Sequence, residues 1–447
     1  MPRHPVSVAG VALATVGALL FLTFFVIDLL GYHFGPYAGL LFFFLFPAIF
    51  VAGLVLIPIG GWLQRRKGAG AAPARWPRLD LNDPRQRRWT FFVFAATLVN
   101  IVIISLAAYS GVEYMESVSF CGQVCHEVMQ PEFTAHKDAP HSSIACVKCH
   151  VGPGAQGFVE AKMSGTRQLV AVALGNYSRP IPTPARGLVS ASETCERCHW
   201  PEKFHGEKVK VMREFAEDET NTETATTMDI KVGGGSERLG IATGIHWHMN
   251  IANRVEYIAT DAKRQEIPWV RVTDRQGNVR EYQVDGVKPE DLAKGERRTM
   301  ECMDCHNRPS HTFDPTPEKA VDRRLATGEM PRTLPFVRRE AVAAVKEKYD
   351  SQEAALSAIS QRLAEFYRTK YPDVYTTRRP EVDRAISAAQ RAYGRNIFPR
   401  MNIAWGAYAN NIGHMDFPGC FRCHDDSHKT KDGKTIGQDC ELCHKIR

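Results

Sequence analysis

The twelve cysteines of this chain fall into six close pairs, and a histidine follows the second cysteine of every pair. Five pairs read Cys-x-x-Cys-His: Cys146, Cys149 and His150; Cys195, Cys198 and His199; Cys302, Cys305 and His306; Cys420, Cys423 and His424; Cys440, Cys443 and His444. The remaining pair comes first in the chain and has one residue more between its thiols: Cys121, Cys125 and His126. Cys-x-x-Cys-His is the attachment signal of c-type haem. Two thioethers fix the porphyrin vinyl groups, and the two intervening residues turn the backbone so that both sulfurs meet one macrocycle edge. The adjacent histidine then reaches the iron. The extra residue in the first motif is expected to bulge that turn without carrying His126 out of reach. Zinc ribbons and disulfides also use cysteine pairs, but neither requires a histidine after each second cysteine. The sequence thus predicts six c-type haems, with porphyrin forming much of the core around them.

Three apolar stretches precede the motifs. Val6–Leu30 carries one charge, Asp28, whereas residues 37–63 and 90–112 carry none. Each can cross ~30 Å of hydrocarbon as a helix. The first is too long for a signal-peptide core and lacks a small-residue cleavage site, so it reads as an uncleaved helix. Gly31–Pro36 is expected to turn the first two helices into a hairpin, and Pro47 and Pro58 to bend the second. The formal net charge of +7 is almost all in one loop. Residues 64–89 hold eight Lys/Arg against Asp80 and Asp83, which gives +6. A basic excess confined to one loop argues against a nucleic-acid partner. It also places that loop and the N-terminus in the cytoplasm. Everything after Val112 then lies on the outer side of the bilayer, the periplasm of a bacterium.

Each iron needs a second axial ligand. Eight histidines beyond Val112 lie outside the motifs: His136, His141, His205, His246, His248, His311, His414 and His428. We take His141, His205, His246, His311, His414 and His428 as the distal set. His246 and His248, in His-Trp-His, are alternates, because on a strand they would point the same way. Two imidazoles on one iron leave no open position, which suits electron transfer rather than substrate chemistry. Met129, shortly after the first motif, reads either as a thioether ligand or as a packing residue.

The fold class expected is mixed: three N-terminal transmembrane helices, then a haem-packed, mainly α and irregular cytochrome domain with a small antiparallel β-insert. Residues 1–63 form the hairpin, 64–89 the basic loop and 90–112 an anchor helix. Residues 113–205 carry three haems, 206–300 the β-insert, and 301–447 three more haems with helices between them. Within these, 157–177 reads as an amphipathic helix, either on the membrane surface or in the core. Residues 255–260, 268–273 and 279–284 alternate as strands, and 338–371 and 381–393 carry helical periodicity.

A single helix followed by CGQVCHEVM, PHSSIACVKCHVGPG, FVEAKMSG, CERCH and CMDCHNRPSH resembles the NapC/NirT-type membrane-anchored multihaem quinol dehydrogenases. The match covers roughly residues 90–205 and 300–312. The resemblance implies that membrane quinol is oxidised at the interface beside the first haem, and that electrons leave to a periplasmic redox partner. It further implies Met129 as a ligand of the first iron, His141 and His311 as distal ligands, and Lys162 at the quinol pocket. The acidic residue that the family places beyond that lysine is missing, since nothing from Ala161 to Ser192 is acidic. Asp28 and His33, near the exported end of the hairpin, are candidates to accept quinol protons in its place. The rival expectations are an electron-relay subunit that docks a separate quinol-oxidising partner, and a multihaem terminal reductase.

Overall fold

The computed structural model describes residues 4–30, 36–67, 80–185, 189–234, 244–249 and 253–447. The chain divides into two compact units, Met1–His126 and Glu127–Arg447.

The first unit is built on three helices, α1 (Pro5–Leu29), α2 (Phe46–Lys67) and α3 (Pro84–Glu116). The stretches Pro5–Asp28, Ala38–Gln64 and Pro84–Glu116 are long and apolar enough to cross a membrane. Apolar side chains gain little by leaving lipid for one another, so such helices associate where small residues let their backbones approach. Glycines do this between α1 and α2. A Cβ on Gly53 would lie 2.3 Å from the Ala14 nitrogen, and one on Gly17 would lie 2.6 Å from the Phe50 nitrogen. The Ser7 hydroxyl donates to the Ile57 carbonyl at 2.9 Å across the same seam. Before α2 the backbone widens into a π-helical turn, Leu41–Leu45. Pro47 follows and cannot offer its nitrogen to the Phe43 carbonyl. Gly111 of α3 sits near that carbonyl, where an added Cβ would be 3.4 Å away. Asp83 caps the start of α3 by accepting from the Arg85 amide at 2.9 Å. Near its other end, Tyr114 packs against Phe43 and Phe120, both 5.4 Å away between ring centres.

In the second unit the β-insert holds more strands than the alternation predicts, and it is not self-contained. β1 (Glu207–Phe215) and β2 (Glu223–Lys231) form an antiparallel hairpin. A second sheet contains β3 (Arg254–Ala259), β4 (Trp269–Thr273), β5 (Val279–Val284) and β6 (Glu296–Thr299) in the order β6-β3-β4-β5. The C-terminal segment completes both sheets: β7 (His428–Lys429) pairs with β5, and β8 (His444–Ile446) pairs with β2. The last two motifs are thereby stitched to the insert.

Residues 317–396 contain no motif and form their own helical core. The helix Gln352–Lys370 buries Ala355, Ile359, Leu363 and Tyr367, one residue per turn. Ser351 caps it by accepting from the Ala354 amide at 3.1 Å. The 338–371 periodicity resolves into two helices, Val337–Lys346 and Gln352–Lys370. The helix expected at 157–177 spans Gly154–Ala173 and buries none of its residues.

Candidate multihaem centre

All twelve cysteines are unbridged. In each Cys-x-x-Cys-His motif the chain makes one tight helical turn that sets the thiols three residues apart along it. In four motifs the histidine amide closes the turn by donating to the first cysteine's carbonyl. The bonds are His150 to Cys146 (3.0 Å), His199 to Cys195 (2.8 Å), His306 to Cys302 (2.7 Å) and His424 to Cys420 (3.1 Å). The first motif differs in the expected manner. Its extra residue is absorbed in a π-helical turn, Phe120–Val124, and His126 begins the next helix, His126–Lys137. A π-helical turn is the backbone's usual way to house one inserted residue without ending a helix.

Five motif histidines have histidine neighbours at nearly constant spacing. Ring centres are 6.2 Å apart for His150 and His311, 6.0 Å for His199 and His141, and 6.3 Å for His306 and His246. They are 5.9 Å apart for His424 and His248, and 6.1 Å for His444 and His414. An imidazole nitrogen sits about 2 Å from a bound transition metal and roughly 1 Å from its own ring centre, so two imidazoles on opposite sides of one ion have ring centres roughly 6 Å apart. The five pairs therefore fit five six-coordinate haem irons.

Hydrogen bonds orient the partner rings. Nδ1 of His141 donates to the Pro309 carbonyl (3.3 Å), His246 to Val232 (3.0 Å), His248 to Ile245 (3.0 Å) and His311 to Glu132 (3.0 Å). A committed Nδ1 leaves Nε2 as the metal-binding nitrogen. Burial holds His150, His246, His248, His306 and His311 below the ordinary imidazole range, in the neutral form that ligation needs.

From the second motif onward, successive motifs are also neighbours in space. Burial pushes the Cys302 thiol up to about 11, and Cys195 adds to the rise. Burial likewise raises Cys305 to about 11 and Cys423 to about 12; Arg422 opposes both shifts, and Cys420 and Cys305 respectively reinforce them. Cys149 is raised by burial and then by Cys195, and Cys443 by burial and then by Cys420. One side chain joins two motifs directly: Arg422 Nη2 donates to the Asp304 carbonyl at 2.8 Å.

Other expected residues take different places. His428 is buried with both nitrogens committed, Nδ1 to the Asp425 carboxylate (2.9 Å) and Nε2 to the Ile267 carbonyl (2.6 Å). As part of β7 it is held in the second sheet, and in this arrangement neither nitrogen is left for a metal. His205 is exposed, with Nδ1 on the Lys203 carbonyl at 2.7 Å, and no motif histidine is paired with it among the described residues. His136 lies 6.1 Å from His311, but its Nε2 is bonded to the Ile144 carbonyl at 3.1 Å. Met129 is half-buried one turn beyond His126. Lys162 is half-buried, its ammonium 4.8 Å from the centre of the Phe158 ring. Asp28 is half-buried in the last turn of α1, and His33 lies outside the described residues.

The chain is 41% identical over 449 aligned residues to the cytochrome c-type protein ImcH of Geobacter sulfurreducens, across 99% of this chain and 88% of that protein. The chain belongs to the ImcH family of c-type cytochromes. No family profile and no solved structure matches it. With three helices suited to a bilayer, this member of the ImcH family is a membrane cytochrome, and haem held through cysteine is its cofactor. The NapC/NirT-like segments are local stretches within a full-length relationship to ImcH.

The sequence reading missed that His246 and His248 both meet motif histidines. It took them as alternates, because on a strand they would share a face. They lie instead in a 3-10 turn, Ile245–Met249, whose three residues per turn splay positions i and i+2. It also missed Glu132 and Arg308, which no pattern links until the fold brings them together beside His311.

Proposed function

We propose that this protein is a hexahaem quinol dehydrogenase of the bacterial cytoplasmic membrane that passes electrons to a periplasmic redox partner. The observation that carries the proposal is the set of five motif histidines with a second histidine 5.9–6.3 Å away. Such sites have no vacant position for a substrate, so they suit relay and disfavour a terminal reductase. The sixth haem belongs on Cys121 and Cys125, at the end of the third apolar helix. His126 and Met129 share one face of a helix, so they compete for a single axial position on that iron.

A quinol gives up two electrons and two protons. The electrons enter the haem series one at a time, and the protons need a titratable acceptor at the membrane face. Asp28 and His33, in the hairpin, are candidates for that acceptor. Lys162 is a candidate to bind the quinol, on a helix that exposes Val159, Met163, Leu169 and Val170. The haem domain faces the periplasm because the loop 64–89 concentrates positive charge that stays inside.

The test is to mix the purified full-length protein, in lipid nanodiscs, with a reduced quinol analogue and to follow the haem bands. Stoichiometric reduction supports the proposal, and the intact mass should equal the polypeptide plus six haems. Reduction by dithionite but not by quinol would assign the protein to a relay behind a separate quinol-oxidising partner.

A further inference from the structure

We infer that His246 and His248, two residues apart in one turn, are distal ligands of two different haem irons and hold those haems side by side. The inference rests on the reading that each cysteine pair carries haem.

His246 stands 6.3 Å from His306, and His248 stands 5.9 Å from His424. His306 and His424 belong to different cysteine pairs and so to different porphyrins. The 3-10 turn Ile245–Met249 sends the two rings in different directions. Each ring is oriented independently, by a Nδ1 hydrogen bond to Val232 for His246 and to Ile245 for His248. The Phe204 ring, 4.7 Å from His246 between centres, fixes it further. Trp247 between them packs against the core of the second sheet, which anchors the turn.

A separate set of contacts brings the same two motifs together from the other side. Arg422, inside the Cys420 motif, donates to the carbonyl of Asp304, inside the Cys302 motif, at 2.8 Å. Asn411 donates to the same carbonyl at 2.9 Å. The Tyr257 hydroxyl of β3 bonds to the Asp304 carboxylate, which ties this junction to the sheet. The insert between the third and fourth motifs therefore supplies a clamp at the joint between two haems whose motifs are separated in sequence by the haem-free helices of 317–396. Without the clamp, neither iron would keep its sixth ligand.

The test uses His246→Ala, His248→Ala and the double variant in the full-length protein, with intact mass for haem count and electron paramagnetic resonance for spin state. The wild type should carry its haems with the His306 and His424 irons low-spin. Each single variant should keep the full haem count and gain one high-spin haem per molecule, and the double variant should gain two. His246→Met and His248→Met should restore low-spin iron with a sulfur-to-iron band, which separates ligand loss from misfolding. Single variants that both stay low-spin, or a double variant that gains only one high-spin haem, would show that the two histidines serve one iron and overturn the inference. A wild type without covalent haem would instead sink the functional reading itself.

Discussion

Arg308 and Glu132, 176 positions apart in the chain, form a two-pronged ion pair with nitrogen–oxygen distances of 3.0 and 2.9 Å. The same glutamate accepts the His311 Nδ1 hydrogen on its backbone carbonyl at 3.0 Å, and its carboxylate lies 3.3 Å from that nitrogen. Arg308 Nε in turn donates to the His311 carbonyl at 2.6 Å. The pair thus holds His311 opposite His150 and neutralises the carboxylate beside it. Arg308→Met leaves that negative charge uncompensated. At an effective dielectric near 20 this favours ferric iron by on the order of 1–2 kcal/mol, or roughly 40–90 mV for one electron. A redox titration should show one of the haem potentials falling by that amount while the others stay in place.

Ring orientation differs among the histidine pairs, and the difference is measurable. His246 and His306 are within 4° of parallel and His414 and His444 within 24°, whereas His141 and His199 cross at 80° and His248 and His424 at 86°. Parallel imidazoles donate into one iron d orbital and split the low-spin pair, whereas crossed imidazoles donate equally into both. Electron paramagnetic resonance of the oxidised protein should therefore resolve two classes of low-spin haem, two rhombic and two with a single large g value. A uniform rhombic spectrum would contradict these ring angles.

The helical core of 317–396 encloses a charge pair. Arg338 bonds to the Asp322 carboxylate through Nε at 2.7 Å and Nη2 at 3.2 Å, and the side chains are 10% and 6% exposed. Burial pushes the Asp322 carboxyl up, and Arg338 opposes the shift. Arg338→Met strands the carboxylate in the core and should destabilise the protein by about 3–5 kcal/mol. Asp322→Leu combined with Arg338→Met should recover most of the loss, as read by thermal unfolding in detergent.

In the membrane unit, a side chain at Gly53 would strike the backbone of Ala14, which cannot swing aside. Gly53→Val should lower stability by about 1–3 kcal/mol or separate the hairpin. Gly61→Ala is the matched control, because nothing lies within 4 Å of its added Cβ. The melting temperature in detergent should fall for the first variant and stay unchanged for the second.

Covalent chemistry and hydropathy act over short stretches of chain, and these were readable directly. The cysteine pairs with their histidines, the three apolar helices, the strands at 255–284 and the helical periodicity of 338–393 each follow from residues within one turn or one strand of each other. The same is true of the π-helical turn that takes up the extra residue after Cys121. The pairing of the histidines is of another kind. His141 meets His199, and His311 meets His150, because separate segments converge on one spot, and nothing local encodes that. His428 looked identical to a ligand in sequence, yet the Asp425 carboxylate and the Ile267 carbonyl hold both its nitrogens. His248 looked redundant with His246 until a 3-10 turn set the two rings toward different motifs. The sequence by itself determined which cysteine pairs are suited to carry haem and which helices are suited to a bilayer, since bond formation and transfer from water depend only on neighbouring atoms. Only the tertiary structure decided which imidazole faces which motif histidine, since that depends on hydrogen bonds between residues as distant as Glu132 and His311.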